Sequence, residues 1–193
     1  MKYFCAAVFL IANVLCFTVC KQKYPTVVIQ TALGDITAEI YETQAPVTAG
    51  NFLSLVDDGI FNAHATFYRV VRDDNQPNNP VKINVIQGGL RSSRETSLIP
   101  IRHETTQETG LRHLNGSLSM ARSAPGTADA EFFICIGDQP ELDFGGKRNP
   151  DGEGFAVFGR IIDGMDIVRT IQQQKDNNQY LLEPVQILSI QRK

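Results

Sequence analysis

Eight short runs rich in β-branched and aromatic residues, each bounded by clusters of Gly, Pro, Asn and Asp, punctuate the chain between Thr26 and Gln191. They fall at 26–30, 35–41, 67–71, 81–87, 117–122, 132–136, 155–162 and 185–191. In the second run Ile36, Ala38 and Ile40 alternate with Asp35, Thr37 and Glu39, a period of two that buries one face of a strand. Leu33-Gly34-Asp35 supplies the turn that joins it to the first run as a hairpin. No strand–helix–strand rhythm follows, so the strands cannot be arranged as a parallel sheet with crossover helices. The pattern predicts a closed or nearly closed antiparallel sheet with helices packed against it.

Two helices are expected. From Pro46 the apolar spacing changes to three and four, with Phe52, Leu55 and Val56 on one side and Gly59 just past the end. The second spans 165–174, with Met165, Val168 and Ile171 on one face and Asp163 as the cap. A chain of 193 residues, 42% hydrophobic and 20% charged, can bury a core as one domain, and neither an internal repeat nor a linker divides it. A net charge of −3, no tryptophan and no basic block disfavour a protein built to grip nucleic acid.

The amino terminus is different in kind. Lys2 precedes an apolar run from 4 to 19, broken only by Asn13 and Thr18, and the chain turns polar at Lys21. This reads as a secretory signal over residues 1–20, ahead of a folded body at 24–193, and places the protein in the periplasm or outside the cell. The same residues admit two other readings, both of which attach the chain to a membrane: an uncleaved anchor, or a lipid on Cys20, for which Val19 is large as the preceding residue. Cys5, Cys16 and Cys20 lie in this leader and only Cys135 in the body, so no disulfide can staple the fold.

Familiar catalytic constellations are missing. His64, His103 and His113 are too scattered for a metal site, and a single cysteine cannot complete one. The stretch 149–153 has oxygen ligands near a glycine but not the spacing of a calcium loop, and reads as a solvated turn. Gly152-Glu153-Gly154 lacks the third glycine of a dinucleotide loop, and Ser117 and Ser119 sit in no nucleophile elbow.

What remains is an ordered set of strings. Phe67-Tyr68-Arg69-Val70-Val71 sets an arginine within an apolar strand, where a charge needs a partner or a task. Val85-Ile86-Gln87-Gly88-Gly89 ends a strand with an amide. Leu118-Ser119-Met120-Ala121-Arg122, Gly126-Thr127, Ala130-Glu131-Phe132-Phe133-Ile134 and Phe155-Ala156-Val157-Phe158-Gly159 follow in order. Together they resemble the cyclophilin family of peptidyl-prolyl isomerases, over about 26–190. The resemblance implies a closed eight-stranded antiparallel β-barrel capped by two α-helices, with the active surface outside a filled interior. It also implies proline-containing polypeptides as substrates, no cofactor and no metal, and nothing in it demands more than a monomer. Carried over residue by residue, Arg69 is the catalytic arginine, Gln87 the amide that holds a substrate carbonyl and Phe133 the proline-pocket aromatic. Val85, Leu142 and Phe155 line the rest of that pocket, and Ala121, Arg122 and Ser123 offer backbone groups to the substrate chain.

These residue types suit the reaction. Rotation about an Xaa-Pro bond breaks amide resonance, against a barrier of about 20 kcal/mol. At the twisted transition state the proline nitrogen recovers a lone pair, so a guanidinium placed there binds the transition state in preference to the planar ground state. Each assignment has a structural rival: Arg69 as an ion-pair arginine, Gln87 as a strand cap, Phe133, Leu142 and Phe155 as packing. Alternation puts Phe132 and Phe133 on opposite faces, so one of them must look outward.

The chain departs from the family pattern in four places. Glu131 stands where the family has glutamine, and Glu141 where a pocket-rim aromatic is common. Residues 72–80 form a longer, more polar connection, and Asn84 occupies a place often held by an aromatic. An ion pair between Glu131 and Arg69 would either steady the guanidinium or hold it from substrate, and the loop would narrow or extend the groove. A barrel that grips proline-containing loops without turning them over is the competing function.

Overall fold

A computed structural model describes residues 24–91 and 98–193; the leader at 1–20, with its three cysteines, lies outside the described residues. The strands are β1 (Thr26–Thr31), β2 (Gly34–Ile40), β3 (Thr66–Val71), β4 (Val85–Gly89), β5 (Ser117–Met120), β6 (Glu131–Cys135), β7 (Ala156–Asp163), β8 (Asp176–Asn177) and β9 (Tyr180–Arg192). They pair in the order β1-β2-β7-β5-β6-β4-β3-β9, and β9 returns to β1, so eight antiparallel strands close into a barrel. The two-residue β8 is an arm on β9 outside that ring.

Closure leaves an interior filled by side chains. Phe52, Phe61, Phe67, Phe132 and Phe158 are fully buried in it. Phe132 meets Phe52, Phe61 and Phe67 edge-on at 5.6, 6.0 and 5.9 Å between ring centres, the orientation that sets ring edges against ring faces. A second, smaller apolar cluster forms on the outside of the wall from Val71, Ile83, Val85, Phe133, Cys135 and Leu142, with Ala121 and Phe155 against it. Phe132 and Phe133 thus face opposite ways, one into the barrel and one into this outer cluster. Cys135 is sealed within the outer cluster, where burial pushes its thiol pKa up and keeps it protonated.

Helix α1 (Pro46–Asp57) starts on Pro46, as its sequence predicts, but takes its cap from far away. Glu104, almost wholly buried, accepts the N–H groups of Val47 and Thr48 at 3.1 and 2.6 Å and the Thr48 hydroxyl at 2.7 Å. A carboxylate there satisfies orphan donors and complements the positive end of the helix. Helix α3 (Met165–Gln172) is shorter than expected, and its cap is Gly164, not Asp163. Gly164 has φ +87°, and a Cβ on it would lie 2.5 Å from the Asp35 carbonyl, so close approach to β2 selects glycine over a side-chain cap. One extra helical turn, α2 (Thr106–Thr109), is capped by Thr105, whose hydroxyl accepts the Glu108 N–H at 3.2 Å.

Two strands are shorter than the sequence suggests. β4 begins at Val85 instead of residue 81, because side-chain amides replace the ladder: Gln76 binds the Ile83 carbonyl at 2.7 Å and Gln139 accepts the Asn84 N–H at 3.1 Å. β5 ends at Met120 instead of residue 122, with only the Ala121 N–H still reaching across to Glu131, at 2.9 Å.

Candidate active site

Strand register assembles the site. Arg69 on β3 pairs with Gln87 on β4, Gln87 pairs with Phe133 on β6, and Phe133 with Ser119 on β5, so residues from four separate strings lie in one row across the wall. A β-bulge between Phe67 and Arg69 decides which way the arginine points. Phe67 and Val70 both face the core, three positions apart instead of two, and Arg69 is thrown to the outer face.

The guanidinium is held by neutral acceptors. Its Nη1 donates to Gln87 Oε1 at 2.9 Å, and its Nε and Nη2 donate to Gln179 Oε1 at 3.1 and 2.6 Å. Among the described residues no carboxylate lies within ion-pair distance of it. Gln179 follows β8 in a turn where it and Asn178 both have positive φ, and it is fixed by its own N–H to Asp176 at 2.9 Å and its side-chain amide to the Asn75 carbonyl at 3.2 Å. Nothing in the sequence around Gln179 announces this part; only the fold brings it to Arg69.

Beside the arginine is an apolar slot of about 110 Å³, lined by Val85, Phe133, Leu142 and Phe155 with Ile83 as a further wall, and with Arg69, Gln87, Ala121 and Arg122 at its edge. That is far below the ~300–1,000 Å³ of a drug-sized pocket and suits one small ring. Ser123 and Glu131 lie in an adjoining polar cleft with Thr127 and Asp129. The Ser123 N–H is engaged by the Thr127 hydroxyl at 3.1 Å. Arg122 works through its side chain: it chelates Asp151 at 2.8 and 3.0 Å, and its charge sits 5.2 Å over the ring of Phe155. The 149–153 stretch is therefore a brace for the slot wall.

Glu131 joins the network one step from the arginine. Its carboxylate accepts the Tyr68 hydroxyl at 2.7 Å and the Gln87 amide at 2.9 Å, and the same amide reaches the Tyr68 oxygen at 2.7 Å. The link to Arg69 runs through Gln87, whose carbonyl faces the guanidinium while its N–H groups face Tyr68 and Glu131. Burial and the neighbouring carboxylate push the Tyr68 pKa up, so the phenol keeps its proton. Glu141 does not line the slot, and its carboxylate accepts the Lys147 N–H at 2.8 Å.

Behind the slot, Asp143, His113 and Ser119 form a line, with His113 Nδ1 2.7 Å from Asp143 and Nε2 2.9 Å from Ser119 Oγ. It has the order of a nucleophilic triad, but Ser119 is fully buried and meets no substrate. Its evident task is support: the imidazole stacks on Phe133 at 5.9 Å, nearly parallel. Burial holds the His113 pKa below that of a free histidine. Burial alone would raise Asp143, but its bonds from His113 outweigh it and pull that carboxyl down. The unfolded chain therefore takes up the histidine proton first, and stability present above about pH 6.5 is lost as pH falls below it. Thermal melts between pH 8 and 5 should show the loss, and the His113 ring resonance should titrate at lower pH than that of a free histidine. A ring that titrates like a free histidine would contradict this.

Residues 26–192 match the family described as cyclophilin type peptidyl-prolyl cis-trans isomerase/CLD. The chain belongs to the cyclophilin family. This cyclophilin is 36% identical over 154 residues to "Peptidyl-prolyl cis-trans isomerase cyp18" of Streptomyces antibioticus, covering 78% of this chain and 84% of that one. It is 34% identical over 143 residues to "Peptidyl-prolyl cis-trans isomerase B" of Escherichia coli, covering 72% and 79%. A crystal structure of a Cryptosporidium parvum cyclophilin superposes with a TM-score of 0.69 at 22% identity, over 89% of this chain and 98% of that one, and supports the barrel.

Proposed function

We propose that this cyclophilin accelerates rotation about Xaa-Pro bonds with Arg69 as the group that meets the proline nitrogen. The observation that carries the reading is a guanidinium on the outer wall, fixed by two glutamine carbonyl oxygens and bordering an apolar slot sized for one ring. Phe133, Val85, Leu142 and Phe155 would bury the pyrrolidine ring and hold one side of the rotating bond. Water excluded by that ring cannot compete for the arginine, and the charge acts in a low local dielectric. Neutral acceptors matter, because a carboxylate on Arg69 would neutralise the field that the developing lone pair needs. Ala121 and Arg122, beyond the last ladder pair of β5, would receive the substrate backbone, with Ser123 and Glu131 beside the residues that precede or follow the ring.

The leader, Lys2 with the apolar run 4–19, supports export, so that the substrates are proline-containing polypeptides folding in the periplasm or outside the cell, met by a monomer. No helix among the described residues is long and apolar enough to cross a membrane.

A second reading, a barrel that binds proline loops without turnover, is favoured by one observation: the Gln87 N–H groups already serve Tyr68 and Glu131 and not a substrate carbonyl. Measuring isomerisation of a proline peptide by magnetisation exchange separates the two. Turnover establishes the isomerase, and binding with no exchange establishes the module. In Glu131→Gln the hold on Gln87 is weakened, so kcat/KM should rise a few-fold, mostly through KM. A tenfold loss would show instead that Glu131 is needed to hold the network in place.

A further inference from the structure

The polar 72–80 connection builds a second cleft next to the slot. It encloses about 300 Å³ and is lined by Gln76, Asn78, Asn79, Arg148 and Gln179 among others, with no acidic side chain in its wall. Its frame is well tied. Gln76, 2% exposed, binds the carbonyls of Arg72 and Ile83 at 2.9 and 2.7 Å. Arg72 in turn is bonded to Asp176 and to the Gln172 carbonyl, the latter at 2.6 Å. Two of its lining residues bond to residues of the slot, since Gln76 binds the carbonyl of Ile83 and Gln179 carries the Arg69 guanidinium.

Arg148 is the unusual member. It is half-buried, and its Nη1 donates to Gln76 Oε1 at 3.0 Å and to the Val81 carbonyl at 2.6 Å. Among the described residues no carboxylate lies within ion-pair distance of it. Arg148 and Arg69 thus form a pair of neighbouring cations held only by neutral oxygens, on a protein of net charge −3. Burial and the charge on Arg69 both pull the Arg148 pKa down, a sign of positive charge without a counter-ion. An arginine fork that lines a cleft of amide groups, with only its Nη1 engaged among the described residues, is matched to a carboxylate.

We propose that this cleft is a subsite for an acidic side chain of the polypeptide substrate, on the flank of the proline that leaves the slot past Arg69. The proposal rests on the isomerase reading and deepens it into a substrate preference. A peptide seated with its proline ring in the slot has one flank along Ala121 and Arg122. Its other flank passes Gln179 and Arg148, where an aspartate or glutamate completes the ion pair that the described residues leave open. The loop that sets this chain apart from its family is then the element that supplies specificity.

The test uses peptides with one proline and blocked termini, carrying Glu or Gln at the first or second position on either side of it. At low ionic strength one position should give a Glu-to-Gln ratio in kcat/KM of about five, the size of a single partly exposed ion pair. That ratio should fall to about one in Arg148→Gln, survive in part in Arg148→Lys, and shrink in 0.5 M salt as charges are screened. Ratios near one at every position in the wild type, or an undiminished ratio in Arg148→Gln, would overturn it. If no peptide is turned over, the isomerase reading fails separately, and the same ratio measured as peptide affinity by NMR titration decides the subsite.

Discussion

Arg69→Ala should lower kcat/KM for a proline peptide by about 100- to 1,000-fold, the usual cost of removing one donor aimed at charge that develops in a transition state. In free energy this is about 3–4 kcal/mol of lost transition-state stabilisation. The fold should survive, because Arg69 lies on the outer face, is partly exposed and its bonds go to two glutamine side chains instead of to the core. Far-UV circular dichroism and a melting temperature close to wild type would establish that. Arg69→Lys is the sharper variant: it keeps the charge but loses the fork that binds Gln87 and Gln179 together, so it should recover only a small part of the rate. Activity within a few-fold of wild type in Arg69→Ala would remove the arginine from the mechanism.

The second large effect separates two adjacent phenylalanines. Phe132→Ala deletes a ring with no exposure that packs edge-on against three others, and should destabilise the barrel by about 3–5 kcal/mol. For a domain of this size that amounts to a fall in melting temperature of roughly 10 °C or more. Phe133→Ala opens the slot instead. It already borders a cavity and belongs to the smaller outer cluster, so its stability cost should be less, while kcat/KM should fall at least about tenfold through KM. Urea denaturation and an isomerisation assay on both variants check the pair. A Phe132→Ala protein as stable as Phe133→Ala, or a Phe133→Ala protein with full activity, would contradict the assignment of the two faces.

Both predictions depend on where the strands put neighbouring residues, and that was only partly legible in the chain. The strand runs, the hairpin at Gly34 and the start of α1 at Pro46 were visible as local patterns because each obeys backbone geometry over a few residues. The site residues that the family strings marked do collect around one slot: Arg69, Gln87, Phe133, Val85, Ala121, Arg122, Leu142 and Phe155. Ser123 and Glu131 fall in the next cleft. Tyr68, Ile83, His113, Asp143 and Gln179 were missed as site components, since each acts through contacts with residues distant in sequence. Arg69 and Gln179, 110 positions apart, are the extreme case. The start of β4 was missed for a related reason, as amide side chains from elsewhere took over the strand hydrogen bonds.

The amino-acid sequence by itself determined the periods: which runs are strands, that Phe132 and Phe133 face opposite ways, and that an arginine stands in an apolar strand. Periodicity is a property of consecutive residues and needs no knowledge of partners. It did not determine which face that arginine takes. Counting by twos from Phe67, a core residue, sends Arg69 into the barrel, where its charge would be stranded. The bulge at that point exists because β3 must pair with β4 on one side and β9 on the other, and the extra residue is absorbed there. Register between strands far apart in the chain is fixed by closing the barrel and filling its interior, so the position of the guanidinium, and with it the chemistry, was decided only by the tertiary structure.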